Sequence, residues 1–189
     1  MPEPAARPVQ WATPDLQVLV DLFYDRPERL GYFREVRGEE VPEPFRALLA
    51  HHAHMTVTVE RHHGCLVDVQ VDRTESTATH YARVIRLRRQ NDGRVVMFGL
   101  VRLNRQLLGD SVLREIESQG EPLGRILIRH DVLRNVKLLS LWRIEPGPEL
   151  RAAVEQPDLE LAWGRTALIY CNGVPAVELL EVAVEPESD

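Results

Sequence analysis

Cysteine is scarce in this sequence, with only Cys65 and Cys171 among 189 residues. The two are far apart, and neither belongs to a closely spaced pair. This spacing argues against a disulfide framework and against a zinc knuckle. Two isolated thiols are typical of a reducing compartment, so we expect a cytoplasmic protein.

Long apolar runs are also missing. No stretch approaches the roughly 20 apolar residues that a membrane-spanning helix needs. The segment from Met1 to Pro14 contains four prolines and no apolar centre, which does not fit a secretory signal peptide. Walker and dinucleotide-binding glycine loops are absent as well. These absences remove membrane spans and the common nucleotide folds from consideration.

Basic charge is in deficit, because the net charge is −6 at pH 7. A net acidic protein is a poor candidate for nucleic acid as its main partner. A small anionic ligand stays open, since one buried arginine can bind it locally. We therefore expect a small-molecule partner and no nucleic acid.

The composition fits one globular domain, with 44% hydrophobic and 28% charged residues in a chain long enough to bury a core. We predict a loose, proline-rich arm over residues 1–13, one domain over 14–185 and a loose acidic tail over 186–189.

Hydrophobic periodicity and turn residues predict the secondary structure. Asn91-Asp92-Gly93 and Asn172-Gly173 are typical of hairpin turns. A polar connection is expected at 74–79. Residues 31–42 are polar and the segment between Ile128 and Trp142 is mixed, so neither pattern predicts a helix or a strand. The predicted helices lie at 16–23, from 44 onward, at 106–118 and at 150–154, and the predicted strands at 66–71, 81–87, 94–103, 164–171 and 175–184. Two hairpins imply antiparallel pairing, so we predict an α+β fold in a single domain built on an antiparallel sheet.

The local signals conflict around Met55. Thr56-Val57-Thr58-Val59 is β-branched and favours a strand. The same residues continue from an apolar helical segment, which favours a helix. Residue patterns alone leave both alternatives open.

Five short motifs occur in a fixed order along most of the chain. They are Met55-Thr56 with Glu60 and Gly64, Arg83 before the Asp92-Gly93 hairpin, Pro122-Leu123-Gly124-Arg125, Trp163-Gly164-Arg165 before Gly173 and Pro175, and Glu181. From about Leu48 to Val184, this order resembles the chorismate lyases, also called 4-hydroxybenzoate synthases, and the broader chorismate-lyase-like family.

The resemblance implies a fold and a site. It implies an antiparallel sheet with helical flaps over a buried ligand pocket, a helix at Met55, no cofactor and a monomer. It also implies that Met55, Arg83, Leu123 with Gly124, and Glu181 bind the aromatic product. Glu181 comes one residue later after Gly173 than in the short enterobacterial members, so Glu178 competes for the glutamate position.

The reaction implied is elimination of pyruvate from chorismate to give 4-hydroxybenzoate, a product that can enter quinone biosynthesis. Arg83 suits the ring carboxylate, because guanidinium and carboxylate form a planar two-bond pair. Without the resemblance, an arginine in this strand would be expected to point outward. Glu181 is the candidate acid/base, and Arg125 and Arg165 are candidates for the pyruvyl carboxylate.

Two alternatives to chorismate lysis remain from sequence. One is a non-catalytic aromatic-acid binding protein of the same fold. The other is a lyase acting on a related enolpyruvyl acid, with a pocket reshaped by the longer segment at 143–162.

Histidines cluster between residues 51 and 63. The members are His51, His52, His54, His62 and His63. They lack the glutamate and the third-ligand spacing of known zinc helices. We therefore expect no metal from the sequence.

Overall fold

A computed structural model describes residues 15–185, without the side chains of residues 133 and 134. The arm predicted at 1–13 and the tail predicted at 186–189 lie outside this range and stay predictions. Helices and strands alternate irregularly along the described chain. The helices are α1 Leu16–Asp21, α2 Phe45–Leu49, α3 Met55–His63, α4 Asp110–Glu117, α5 Leu123–Arg129 and α6 Pro148–Val154; the strands are β1 Gly31–Val36, β2 Val67–Ser76, β3 His80–Arg89, β4 Val95–Asn104, β5 Leu133–Pro146, β6 Ala162–Cys171 and β7 Val174–Ala183.

The seven strands form one sheet in the order β1-β5-β6-β7-β4-β3-β2. Every neighbouring pair is antiparallel. This confirms the predicted α+β class and the single domain with an antiparallel sheet. The two predicted hairpins join β3 to β4 and β6 to β7, which places the predicted site strands at the centre of the sheet.

Helices cover both faces of the sheet. On one face, α1 and α6 bury Leu19, Val20 and Leu150 against Phe98 and Leu180. On the other face, α2 to α5 lie over a separate apolar cluster. Strand side chains alternate between these two clusters, as the pleat requires. The site-forming residues belong to the face under α2 to α5.

The structure decides the conflict at Met55 in favour of a helix. The β-branched run lies inside α3, where Met55, Thr56 and Val59 are buried. The left-handed Gly64 (φ 65°) ends this helix, as glycine commonly does. Tertiary burial thus overrides the local strand preference.

One predicted connection was wrong in part, and two segments for which the sequence predicted no element contain strands. Residues 31–36 form the edge strand β1, residues 74–76 continue β2, and the mixed segment before Trp142 is the long strand β5. Residues 74–76 are all exposed, and β1 exposes Tyr32, Arg34 and Glu35, so both segments lack the apolar alternation of a half-buried strand. Register shifts at 133–135 and 138–140 break the alternation of β5.

Two helix starts also differ from the prediction. The Pro-Leu-Gly-Arg motif is not a turn but the first turn of α5, where Leu123, Ile126 and Leu127 are buried at helical spacing. Asn104 caps a short 3-10 turn at Arg105–Leu107, and α4 begins only at Asp110. Between residues 15 and 185, no helix is long and apolar enough to cross a membrane.

Candidate functional site

A small cavity lies between the central strands and the roof formed by α3 and α5. The roof contributes His54, Met55 and Thr56 from the start of α3, and Pro122 to Gly124 from the start of α5. The sheet contributes mainly apolar side chains of β3, β4, β6 and β7, together with Arg165 and Glu181. The cavity is about 40 Å³ in volume. It is therefore a small, largely apolar site with one ion pair in its wall.

The two roof helices contact each other through motif residues. Arg125 pairs with Glu60 at 2.5 Å, and Glu60 also accepts a hydrogen bond from the Val67 backbone. A Cβ on Gly124 would lie 3.1 Å from Thr56 Oγ1, so the absence of a side chain lets α5 approach α3. The first and third sequence motifs thus meet in space and close the roof. The sequence had led us to expect Arg125 at a pyruvyl carboxylate. In the structure it pairs with Glu60 instead.

Arg165 and Glu181 form a buried ion pair. They are direct cross-strand neighbours on β6 and β7, with Arg165 Nε 2.7 Å from Glu181 Oε2. The side chains are only 1% and 12% exposed. Within residues 15–185, Glu181 Oε1 accepts no hydrogen bond. The fourth and fifth sequence motifs therefore meet as well.

The end of α2 holds the arginine of this pair from the opposite side. Arg165 Nη1 donates to the backbone oxygens of His51, at 3.0 Å, and Leu49, at 3.4 Å. His51 Nδ1 lies 3.3 Å from the same nitrogen. Arg165 was expected at a pyruvyl carboxylate, but the structure gives it the role of fixing Glu181. Sequence reasoning missed this role.

Arg83 is completely buried on the cavity face of β3, with 0% of its surface exposed. It does not line the cavity itself, but Ile85 on its own strand and Val101 opposite on β4 both do. Its Nη1 donates to the Ile116 backbone oxygen at 3.3 Å. Nε and Nη2 have no hydrogen-bond partner among the described residues. The outward orientation expected of an isolated strand arginine is therefore not observed.

An unpaired cation in this position is energetically unfavourable. Burial lowers the pKa of Arg83, and the nearby Tyr81 hydroxyl offsets this only in part. Buried charges are normally paired, because the desolvation cost of an isolated ion is several kcal/mol. Among residues 15–185, Arg83 thus lacks an anion that would compensate its charge.

The two candidate glutamates lie on opposite faces of β7. Glu181 faces the cavity, whereas Glu178 pairs with Arg102 at 3.1 Å on the other face. Burial raises the pKa of Glu178, and Arg102 opposes that effect. The structure therefore places Met55, Leu123, Gly124 and Glu181 around one cavity, leaves Arg83 beside it and separates Glu178 from it.

Partly buried histidines make the stability of the protein depend on pH. Burial is the main cause of the lowered pKa of His51 and of His54, and it also lowers the pKa of His80. Below the unfolded-state value of 6.5, the unfolded chain binds more protons than the folded chain. Stability is therefore retained above about pH 6.5 and is lost as the pH falls through that value.

We expect the free energy of unfolding, measured with urea, to fall less between pH 7.5 and 5.5 in His54→Asn than in the unmodified protein. Asparagine can cap α3, whose start carries no capping side chain. His52 is exposed, so His52→Gln should keep the full pH dependence. Equal pH dependence of the free energy of unfolding in His54→Asn and in the unmodified protein would contradict a contribution of His54.

Comparisons with known proteins give partial structural likenesses. A gene product of Staphylococcus aureus matches over 62% of this chain and 82% of its own, at 10% identity and a TM-score of 0.49. A possible transcriptional regulator of Bacillus subtilis matches over 62% of this chain and 58% of its own, at 9% identity and a TM-score of 0.48. A putative GntR-family transcriptional regulator matches over 62% of this chain and 55% of its own, at 13% identity and a TM-score of 0.47.

These TM-scores lie below 0.5, so the likenesses carry no conclusion about what this chain does. The alignments with the two regulators span little more than half of those proteins. No family model matches the sequence, and no curated protein matches it. The function is therefore inferred from the site.

Proposed function

We propose that this protein is a chorismate lyase, which eliminates pyruvate from chorismate and releases 4-hydroxybenzoate. The observation that carries this proposal is the fully buried Arg83, two of whose nitrogens lack partners among residues 15–185. It lies on the cavity face of the sheet, between strand neighbours that line the cavity. A ring carboxylate supplies the planar pair of acceptors that such a guanidinium binds best.

The charge balance of the site also favours an anion. Arg165 and Glu181 neutralise each other, so Arg83 leaves the site with one excess positive charge. The positive end of α3 lies at the cavity wall without a capping side chain, which further favours negative charge. Met55 and Leu123 supply apolar surface for a ring, and methionine packs well on aromatic faces.

The chemistry needs few groups from the protein. The bond between the ring carbon and the ether oxygen breaks, the neighbouring ring carbon loses a proton, and the released enolate takes up a proton at its methylene carbon to become pyruvate. The product ring is aromatic, so the elimination is downhill. Glu181, with one oxygen fixed by Arg165 and the other without a partner in residues 15–185, is placed to accept the ring proton or to bind the ring hydroxyl.

Ligand entry requires the roof to move. An apolar cavity of roughly 150 Å³ holds one benzene molecule, whereas this cavity measures about 40 Å³. The short helices α3 and α5 must therefore separate from the sheet, or from each other at the Glu60–Arg125 bridge. Closure afterwards would exclude water and hold the side chain in a reactive position.

A second candidate, a non-catalytic aromatic-acid binding protein, is favoured by the Arg165–Glu181 pair. A carboxylate held by a buried guanidinium is well suited to accept a hydrogen bond from a phenolic hydroxyl. The same contact restrains the carboxylate from exchanging protons. Both candidate functions use the same pocket and the same Glu181 carboxylate.

Turnover distinguishes the two candidates. We expect the purified protein, incubated with chorismate, to produce 4-hydroxybenzoate and pyruvate in equal amounts above the uncatalysed rate, measured by chromatography. Glu181→Gln should reduce this rate by about a hundredfold or more if the carboxylate handles the proton, whereas Glu178→Gln should not. Absence of turnover with retained 4-hydroxybenzoate binding would favour the binding protein and contradict the lyase.

A further inference from the structure

A second cluster of chemically active side chains lies at the far end of α3 from the cavity. His62 and His63 are the last two residues of this helix, and Glu185 follows the end of β7. One ligand atom from each lies within 4.8 Å of the other two. His62 Nε2 is 2.8 Å from Glu185 Oε1, and the two imidazole rings are nearly perpendicular, with centroids 4.7 Å apart.

One atom of this cluster is left without a partner. His63 Nε2 is buried and makes no hydrogen bond to any described residue. An unsatisfied buried polar atom costs about 1–3 kcal/mol, so a native structure rarely leaves one without a reason. One ring nitrogen of His63 lies within 4.8 Å of ligand atoms of His62 and Glu185, so an ion bound among the three would give this imidazole a partner.

We propose that His62, His63 and Glu185 bind a divalent transition-metal ion with the preferences of Zn²⁺. Two imidazole nitrogens and one carboxylate oxygen are ligands that zinc accepts, and a water molecule would complete a tetrahedron. The set carries one negative charge when both imidazoles are neutral. The nearby Arg89 forms an ion pair with Asp92, so its positive charge is offset.

This proposal differs from the expectation of no metal that the sequence gave. The zinc helices considered there carry their histidines one turn apart, whereas here two adjacent histidines at a helix end meet a carboxylate from the last strand. The third ligand is 122 residues beyond His63 in the chain. Sequence spacing therefore gave no signal for the cluster.

The site has a structural consequence for the cavity. The ion would join the C-terminal end of α3 to the chain just beyond β7. The N-terminal end of the same helix carries Met55 in the cavity roof, and Glu181 of β7 lies in the cavity wall. Metal binding would thus hold α3 against the sheet and restrict opening of the roof. The site itself does not depend on the identity of the ligand in the cavity.

Zinc titration of the untagged full-length protein, after chelator treatment, tests the proposal. We expect calorimetry to show one equivalent of Zn²⁺ bound and Co²⁺ to give the visible spectrum of a tetrahedral site. His63→Ala and Glu185→Gln should each weaken Zn²⁺ binding by more than about tenfold. Exposed His52, in the same histidine-rich segment, provides the matched control, since His52→Ala should bind Zn²⁺ as the unmodified protein does.

Thermal unfolding gives a second measurement that does not depend on calorimetric heat. Zn²⁺ should raise the melting temperature of the unmodified protein and of His52→Ala, but not that of Glu185→Gln, because binding to the folded state alone is stabilising. Glu185→Gln preserves side-chain size, so it guards against simple misfolding. Zinc affinity equal in Glu185→Gln, His63→Ala and the unmodified protein would overturn the site, as would the absence of zinc binding.

Discussion

Arg83→Met should make the unliganded protein more stable and strongly weaken its binding of 4-hydroxybenzoate. The arginine is fully buried and lacks an anionic partner among residues 15–185, so its desolvation is uncompensated. Replacing it with an adaptable apolar side chain should raise the free energy of unfolding by about 1–4 kcal/mol. The Ile116 oxygen that Arg83 contacts also accepts from Gln119 N, so this oxygen stays satisfied.

The second part of this prediction is a lower affinity of Arg83→Met for 4-hydroxybenzoate. Removing one partner of a buried, hydrogen-bonded charge pair costs about 2–5 kcal/mol, which corresponds to roughly thirtyfold or more in Kd. A purely structural arginine would give the reverse pattern, with lower stability and unchanged affinity. Urea unfolding and calorimetric titration with 4-hydroxybenzoate measure the two quantities.

Arg102→Met is the matched control for this experiment. Arg102 lies on the neighbouring strand β4, but on the opposite face, where it pairs with Glu178. Its loss should leave 4-hydroxybenzoate affinity unchanged. A loss of affinity in Arg102→Met equal to that in Arg83→Met would show that the effect is not specific to the cavity face.

Arg165→Met should strongly destabilise the protein. The change leaves the Glu181 carboxylate in the cavity wall without its cation and removes the Arg165 donor from the His51 carbonyl. The Leu49 carbonyl also loses its contact with Arg165 but still accepts from His51 N. Breaking a buried ion pair from one side costs about 3–5 kcal/mol. We expect the urea midpoint to fall accordingly, with activity lost in any fraction that stays folded.

The double variant Arg165→Met with Glu181→Leu separates the causes. An apolar pair of similar volume removes the uncompensated charge, so most of the lost stability should return, while turnover and binding should not. The exposed pair Arg29–Glu149, at 2.9 Å with side chains 56% and 33% exposed, is the control, because such pairs contribute about 0–1 kcal/mol. A double variant as unstable as the sum of the two single variants would contradict the pair's proposed role.

Sequence patterns predicted the centre of the sheet better than its edges. The hairpin of β3 and β4 carries an Asn-Asp-Gly turn between apolar strands. The turn residues and the apolar strand residues both predict the hairpin that the structure contains. At β1, the strand is paired on one side only and exposes most of its side chains. Such a strand is held by backbone hydrogen bonds to β5, which leave little trace in side-chain periodicity.

The Arg165–Glu181 pair shows why the site was only partly predictable. Cys171 is paired with Val174, but a register shift between Ile169 and Tyr170 moves the remaining pairs by one residue. A regular hairpin would have placed Leu180 opposite Arg165. Bulges of this kind are set by tertiary packing. Sequence resemblance named Glu181 as a site residue. It did not indicate that Arg165 would pair with Glu181, because that pairing depends on the bulge.

Titration of the protein with 4-hydroxybenzoate and with its methyl ester tests the central claim most directly. The claim is that the cavity under α3 and α5 is an organic-acid site in which Arg83 receives the carboxylate. The two ligands share the ring and the hydroxyl but differ in the anion. We predict measurable binding of the acid and at least about tenfold weaker binding of the ester, with the difference abolished in Arg83→Met. Equal affinity for acid and ester in the unmodified protein, or binding of neither, would contradict the account.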